Sequence, residues 1–217
     1  MGLFISFCGL DGSGKSTQAY MLNDYFKNKC NLKSNVALNF KPSTNTDRLK
    51  KISSNLTNNL YADFPSDVIS LSLVSDLWRN ISESVIPKLK SEEIIITERF
   101  SESLLVYGPL FGSNEKLLKK VFDIFPIPDV YFFLDLNPVT AYQRVIERSE
   151  TSGIAVQYKE TLPIMKKAAR QYKLFSENAC SVITLNIENL TAEEVHHKVI
   201  SNLKKINFKC LNDISLN

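Results

Sequence analysis

The sequence predicts an α/β fold of three layers, a five-stranded parallel sheet with helices on both faces. Three observations carry that expectation. Five short apolar runs recur along the 217 residues, each near-continuously hydrophobic, as strands buried on both faces require. Between them lie stretches with apolar residues three and four apart, the period of amphipathic helices. A glycine-rich loop joins the first run to the first helix, at the carboxyl end of a strand, where such sheets bind ligands.

The elements follow in order. Leu3 to Cys8 reads as the first strand and Lys15 to Asn28 as a helix with Ala19, Leu22 and Phe26 on one face. Asn35 to Phe40 reads as the second strand, stopped at Lys41-Pro42, where proline cannot extend a ladder. Asp47 to Asn58 has a helical pattern. Pro65 opens a longer helix through Leu89, with Val68, Leu71, Val74 and Leu77 as its apolar face. Glu93 to Thr97 is a central strand, Asn114 to Phe125 a helix, and Val130 to Leu136 an aromatic-rich fourth strand. Pro138 starts a helix to about Arg148. A polar loop follows, then a helix from Tyr158 to Asn178 and a last strand from Val182 to Leu185. Thr191 and Glu194 form a capping box for the final helix, and the tail from Asn207 is expected to fray.

Length and composition (44% hydrophobic, 23% charged) suit a single domain spanning 1–217. A net charge of +3 argues for neither nucleic acid nor membrane as a partner and is compatible with a small anionic ligand. Cys8, Cys30, Cys180 and Cys210 are scattered without metal spacing, and His196 and His197 are adjacent, so a reduced cytoplasmic protein is the simplest expectation. The apolar start lacks a basic leader, and Asp11 and Lys15 follow it closely, so it reads as a strand and not a signal peptide.

Gly9-Leu10-Asp11-Gly12-Ser13-Gly14-Lys15-Ser16 matches GxxxxGK[ST] in full, between a predicted strand and a predicted helix. Glycines let backbone N–H groups converge on phosphates, and the helix N-terminus adds partial positive charge. Lys15 is placed to reach the β and γ phosphates of ATP and Ser16 to hold Mg²⁺, with Gly12, Ser13, Gly14 and Thr17 completing the cradle. The expected architecture is therefore the P-loop kinase fold.

The run from Phe4 to Gln18 resembles the opening of thymidylate kinases. Further segments agree in order: Ile94 to Ser101, with Glu98-Arg99-Phe100; Pro128 to Leu136, with Ala141 and Arg144 after it; Tyr158 to Phe175; and Asn186 to Val195. The resemblance implies a nucleoside monophosphate kinase using ATP and Mg²⁺, acting on a small nucleotide-like acceptor, with a homodimer as a further expectation. It implies that Arg99 grips phosphate oxygens, that Glu98 serves the metal side, that Asp11 meets the acceptor sugar, and that Arg144 packs on adenine. The phosphate loop carries no arginine, so a cation from a lid at about 148–157 must neutralise the transferring phosphoryl, and Arg148 is the candidate. An exposed helix-end cation is the alternative reading of Arg148.

The acceptor half departs from the resembling family. After the second strand Lys41 or Arg48 must replace that family's arginine, and Leu73 and Leu77 stand where it stacks on and hydrogen-bonds thymine. Thymidine monophosphate is accordingly expected to be a poor acceptor. A kinase acting on a hydroxyl remains open, with Asp11, Glu98 or Asp76 as base, as does an inactive nucleotide-binding protein.

Overall fold

Five strands alternate with helices among the described residues. They are β1 (Phe4–Gly9), β2 (Ser34–Ala37), β3 (Ile94–Glu98), β4 (Val130–Asp135) and β5 (Val182–Asn186). All of β1, and all but the last residue of β3 and of β4, are buried, which leaves the middle of the sheet no solvated face. The computed structural model describes residues 2–37, 44–91, 93–153 and 155–206. Lys41, the expected end of the second strand and the tail from Asn207 lie outside them.

The order is β2-β3-β1-β4-β5, all parallel. Phe7 stands opposite Glu98 on one side and Phe132 on the other. The chain leaves β1 toward β2 and leaves β4 toward β5. Their carboxyl ends therefore flank the crevice where the topology reverses, and the phosphate loop occupies it.

The helices are α1 (Lys15–Asp24), α2 (Thr44–Ser54), α3 (Leu60–Asp63), α4 (Ser66–Asn80), α5 (Ile86–Lys90), α6 (Glu102–Leu110), α7 (Glu115–Phe122), α8 (Pro138–Ser152), α9 (Leu162–Asn178) and α10 (Ala192–Lys205). Ala19, Leu22 and Phe26 are buried as expected, and the Thr191–Glu194 capping box is present. Pro65 is the N-cap of α4, one residue before its expected place.

The face of α4 differs from the sequence reading. Val68 and Leu71 are exposed, whereas Ile69, Leu77, Ile81, Val85 and Leu89 are buried. Those buried residues, with Leu73 between the first two, recur every four positions, slower than the α-helical period, so a regular helix would rotate them off the core. A π-helical segment at Ile81–Val85 unwinds the chain and restores the register. Pro87, which removes a backbone donor one turn on, favours that break.

Helix α6 was not foreseen, because Gly108 and Pro109 sit in its last turn. The stretch expected to loop out after Arg148 stays helical to Ser152, where Gly153 at φ 70 caps α8. The helix expected from Tyr158 is a short turn at Tyr158–Glu160 followed by α9, with Thr161 extended between them. Among the described residues no helix is long and apolar enough to cross a membrane.

Candidate active site

Backbone shape builds the phosphate loop before any side chain does. Gly12 and Gly14 both adopt φ 83, turning the chain from β1 into α1. A Cβ at Gly12 would lie 2.5 Å from the Ala141 carbonyl of α8, so a side chain there would drive the loop off α8. Gly14 supplies no side-chain cap to α1, which leaves first-turn N–H groups to an anion. Lys15 is buried and donates from Nζ to the Leu10 carbonyl at 2.5 Å. Burial and then the Arg99 charge draw its ordinary 10.5 down to about 7, against the pull of Asp11 and Glu98. An anionic polyphosphate beside it would favour the charged form again. Ser16 Oγ donates to Glu98 Oε2 at 2.7 Å across the loop mouth, pairing two oxygens of the kind that could hold a hard cation.

Arg99 ends β3 in the left-handed region at φ 63, a conformation costing about 1–2 kcal/mol for a residue with a Cβ. Its surroundings hold it there. Its N–H donates to the Phe7 carbonyl at 2.8 Å, and its guanidinium donates to Asp11 Oδ1 at 2.8 Å and to the Tyr172 hydroxyl at 2.5 Å. The same group stands over the Tyr107 ring, 5.4 Å from the centroid. Burial opposes its charge, but Asp11, Tyr172 and Tyr107 outweigh burial and hold the guanidinium above its ordinary range. Asp11 is partly buried, and although that burial opposes its charge, Arg99, Lys15 and Lys159 keep its carboxyl far below the usual range. Lys159 Nζ lies 3.3 Å from Asp11 Oδ2.

Two cavities flank this centre. One, of about 330 Å³, is lined by Arg99 and Lys159 together with α2, α3, α4 and α6, through Thr46, Lys50, Tyr61, Ile69, Ser70, Leu73, Leu104 and Tyr107 among others. The second, of about 320 Å³, is lined by Gly12, Ser13, Gly14, Thr17 and Arg144 with Ile187, Leu190 and Thr191 from the segment after β5. Arg144 Nη1 reaches the Gly12 carbonyl at 3.5 Å. The phosphate loop thus lies between two cavities of nearly equal volume, and Arg99 faces the slightly larger one, beside α4.

Of the residues singled out in the sequence, the fold pairs Ser16 with Glu98 and Arg99 with Asp11, sets the buried Lys15 within electrostatic reach of Asp11, Glu98 and Arg99, and places Gly12, Ser13, Gly14, Thr17 and Arg144 along the second cleft. Leu73 lines the larger pocket. Leu77 does not: it is 2% exposed in the core, one turn deeper on the same helix, and its place as a base contact is corrected. Arg48 is exposed on α2 and lines neither cavity, whereas Thr46 and Lys50 from that helix do. Arg148 lines neither cavity and pairs with Glu160 at 2.6 Å, and Glu160 also accepts the Gln157 N–H. Asp76, weighed as a base, is a cap: it accepts the Asn45 and Thr46 N–H groups and the Thr46 hydroxyl at 2.8–3.1 Å. Arg79 donates to Thr44 and lies 3.7 Å from Asp76, outside the pocket lining.

Sequence reasoning missed Lys159, Glu160, Tyr107, Tyr172 and Glu102. None of them left a signal of its own: even Glu102, three residues past Arg99, sits between Ser101 and Ser103, where a carboxylate is ordinary.

A family model described as thymidylate kinase matches residues 7–199. The chain belongs to the thymidylate kinase family. It is 29% identical to the thymidylate kinase of Wolbachia pipientis wMel over 93% of this chain and 100% of the relative, and 27% identical to that of Wolbachia pipientis subsp. Culex pipiens over 94% and 96%. A probable thymidylate kinase of Sulfurisphaera tokodaii is 30% identical over 94% of this chain and 99% of the relative. As a family member it is an ATP-dependent nucleoside monophosphate kinase, and these matches favour that reading over a hydroxyl kinase or an inactive binding protein. ATP is the phosphoryl donor and a nucleotide the acceptor.

Proposed function

We propose that the chain transfers the γ-phosphoryl group of ATP to thymidine monophosphate. The observation that carries the reading is the position of Arg99, whose one guanidinium joins Asp11 of the phosphate loop to the acceptor-sized pocket. The names of the full-length relatives support thymidine monophosphate against the expectation drawn from Leu73 and Leu77. So does the burial of Leu77, which removes one half of the argument for a wholly apolar base wall.

In this reading the 12–14 backbone and Lys15 hold the β and γ phosphates, Thr17 and Arg144 border the adenosine, and Ser16 with Glu98 holds Mg²⁺ or its waters. Bound Mg²⁺ supplies charge neutralisation on the β and γ phosphates.

Arg99 forks the acceptor phosphate and Asp11 meets the sugar hydroxyl. The attacking atom is an acceptor phosphate oxygen, already anionic, so no general base is needed. Its bond to Pγ forms as the bond from Pγ to the β,γ-bridging oxygen breaks and ADP leaves. Arg148 is the lid cation of this reading and Lys159 a second cation just past the lid, with Glu160 tying the lid's two ends through Arg148 and the Gln157 N–H. The single domain, with its lid near 148–157, is part of the same proposal. So is a homodimer, supported by the outward stripe Val68, Leu71 and Trp78 on α4, each more than 40% exposed, and checked by equilibrium sedimentation.

Replacing Arg99 by alanine tests the carrying observation. The expected result is a loss of about a hundredfold in kcat/KM for the acceptor, the scale for truncating one partner of a buried charge pair, with ATP affinity retained. Equal losses for ATP and acceptor would overturn it.

A further inference from the structure

Within the larger pocket the α4 wall presents Ile69, Leu73 and one hydroxyl, Ser70. Ser70 is 5% exposed and its Oγ lies 2.7 Å from Ser113 Oγ, behind the lining. Ser113 Oγ in turn lies 3.1 Å from the Ser66 carbonyl, which can only accept. A hydroxyl has one proton and two lone pairs. Both contacts are hydrogen bonds only if Ser113 donates to Ser66 and Ser70 donates to Ser113. The proton order along this short chain is therefore fixed by its carbonyl end, and Ser70 is left facing the pocket with lone pairs alone.

We propose that Ser70, its proton committed to Ser113, is the acceptor that reads a ring N–H of the bound base and sets a preference for imide pyrimidines over cytosine. The inference rests on the reading of this pocket as the acceptor site. Thymine and uracil carry a hydrogen at N3. Cytosine carries a lone pair there, which would meet the Ser70 lone pairs between the apolar Ile69 and Leu73 of the α4 wall. A buried acceptor facing an acceptor costs more than an absent contact, because neither group regains its water. The discrimination falls on N3 and not on C5, so uracil and thymine deoxynucleotides are treated alike by this group.

Two variants separate this role from a structural tie between α4 and the segment at 113. Steady-state kinetics with ATP would be measured for deoxythymidine, deoxyuridine and deoxycytidine monophosphates and for N3-methyl deoxythymidine monophosphate. Ser70→Ala is expected to lower kcat/KM for the first two by about five- to tenfold, the scale of one neutral hydrogen bond, and to leave the N3-methyl analogue unchanged. Ser113→Ala, which lies behind the lining, frees Ser70 to donate and is expected to raise kcat/KM for deoxycytidine monophosphate. An unchanged thymidine-to-cytidine ratio in both variants, with wild-type KM for ATP, overturns the inference while leaving the acceptor reading intact. A wild-type enzyme that prefers cytidine or purine monophosphates overturns the acceptor reading itself, and this inference with it.

Discussion

Replacing Glu102 by glutamine should make the protein more stable in mild alkali while changing little in mild acid. Glu102 is fully buried at the start of α6, beside the turn that carries Arg99. Its Oε1 accepts the Phe100 N–H at 3.1 Å and the Ser103 hydroxyl at 3.2 Å, whereas Oε2 has no hydrogen-bond partner. Burial pushes the carboxyl from its ordinary 4.5 up to about 7, against the opposing Phe100 hydrogen bond and Arg99 charge. Between those values the native state holds a proton that the unfolded chain has released, so stability falls as pH rises. At about 1.4 kcal/mol per pH unit, the penalty is about 1 kcal/mol at pH 5 and about 3 kcal/mol at pH 8. Glutamine keeps the shape and the accepting oxygen of the neutral acid and has nothing to ionise. Lys15, drawn to about 7 from above, contributes with the opposite sign, but equally in both proteins, so the difference between them isolates Glu102. Urea unfolding at half-unit steps from pH 5 to 8 measures it. The expected result is a gap that widens by about 2 kcal/mol across the range in favour of glutamine. Parallel curves would refute the reasoning.

Lys15→Ala should reduce phosphoryl transfer to a few per cent or less with the fold intact by circular dichroism, because the lysine is the phosphate loop's buried cation. Leu73→Ala should raise KM for the acceptor, whereas Leu77→Ala should cost about 2–5 kcal/mol of stability on urea unfolding and leave acceptor KM nearly unchanged, since only Leu73 lines the pocket. Arg148→Ala should lower kcat more than it raises KM for ATP, and Lys159→Ala should do the same. A rise confined to KM for ATP would make either residue a simple binding contact.

What the sequence disclosed follows from how locally each feature is encoded. The phosphate loop occupies consecutive residues, and its glycines are demanded by backbone shape, so it could be read without tertiary information. The sheet could be read because its buried strands are continuous apolar runs. The pocket proposed for the acceptor could not, because four helices and the turn before α9 each give it a few residues. There Leu73 and Leu77 look equivalent on a helical wheel, and only packing depth separates them. The apolar face of α4 was misread because it recurs every four residues and depends on a π segment that a regular period cannot anticipate. Asp76 resembled a functional carboxylate, and its use as a cap for α2 is a contact across thirty positions of sequence. Lys159 gave no signal, since a lysine in a polar stretch is ordinary until Asp11 is seen beside it.

The central claim is that a nucleoside monophosphate, held at Arg99, receives the γ-phosphoryl group of ATP. Its most direct measurement is kcat/KM with ATP and Mg²⁺ across the deoxynucleoside monophosphates and the corresponding nucleosides, with products separated by charge. The account predicts thymidine diphosphate from thymidine monophosphate as the fastest product, at a kcat/KM above about 10⁴ M⁻¹s⁻¹, the low end for well-adapted enzymes. Faster phosphorylation of a nucleoside hydroxyl, or no transfer to any monophosphate, would contradict it.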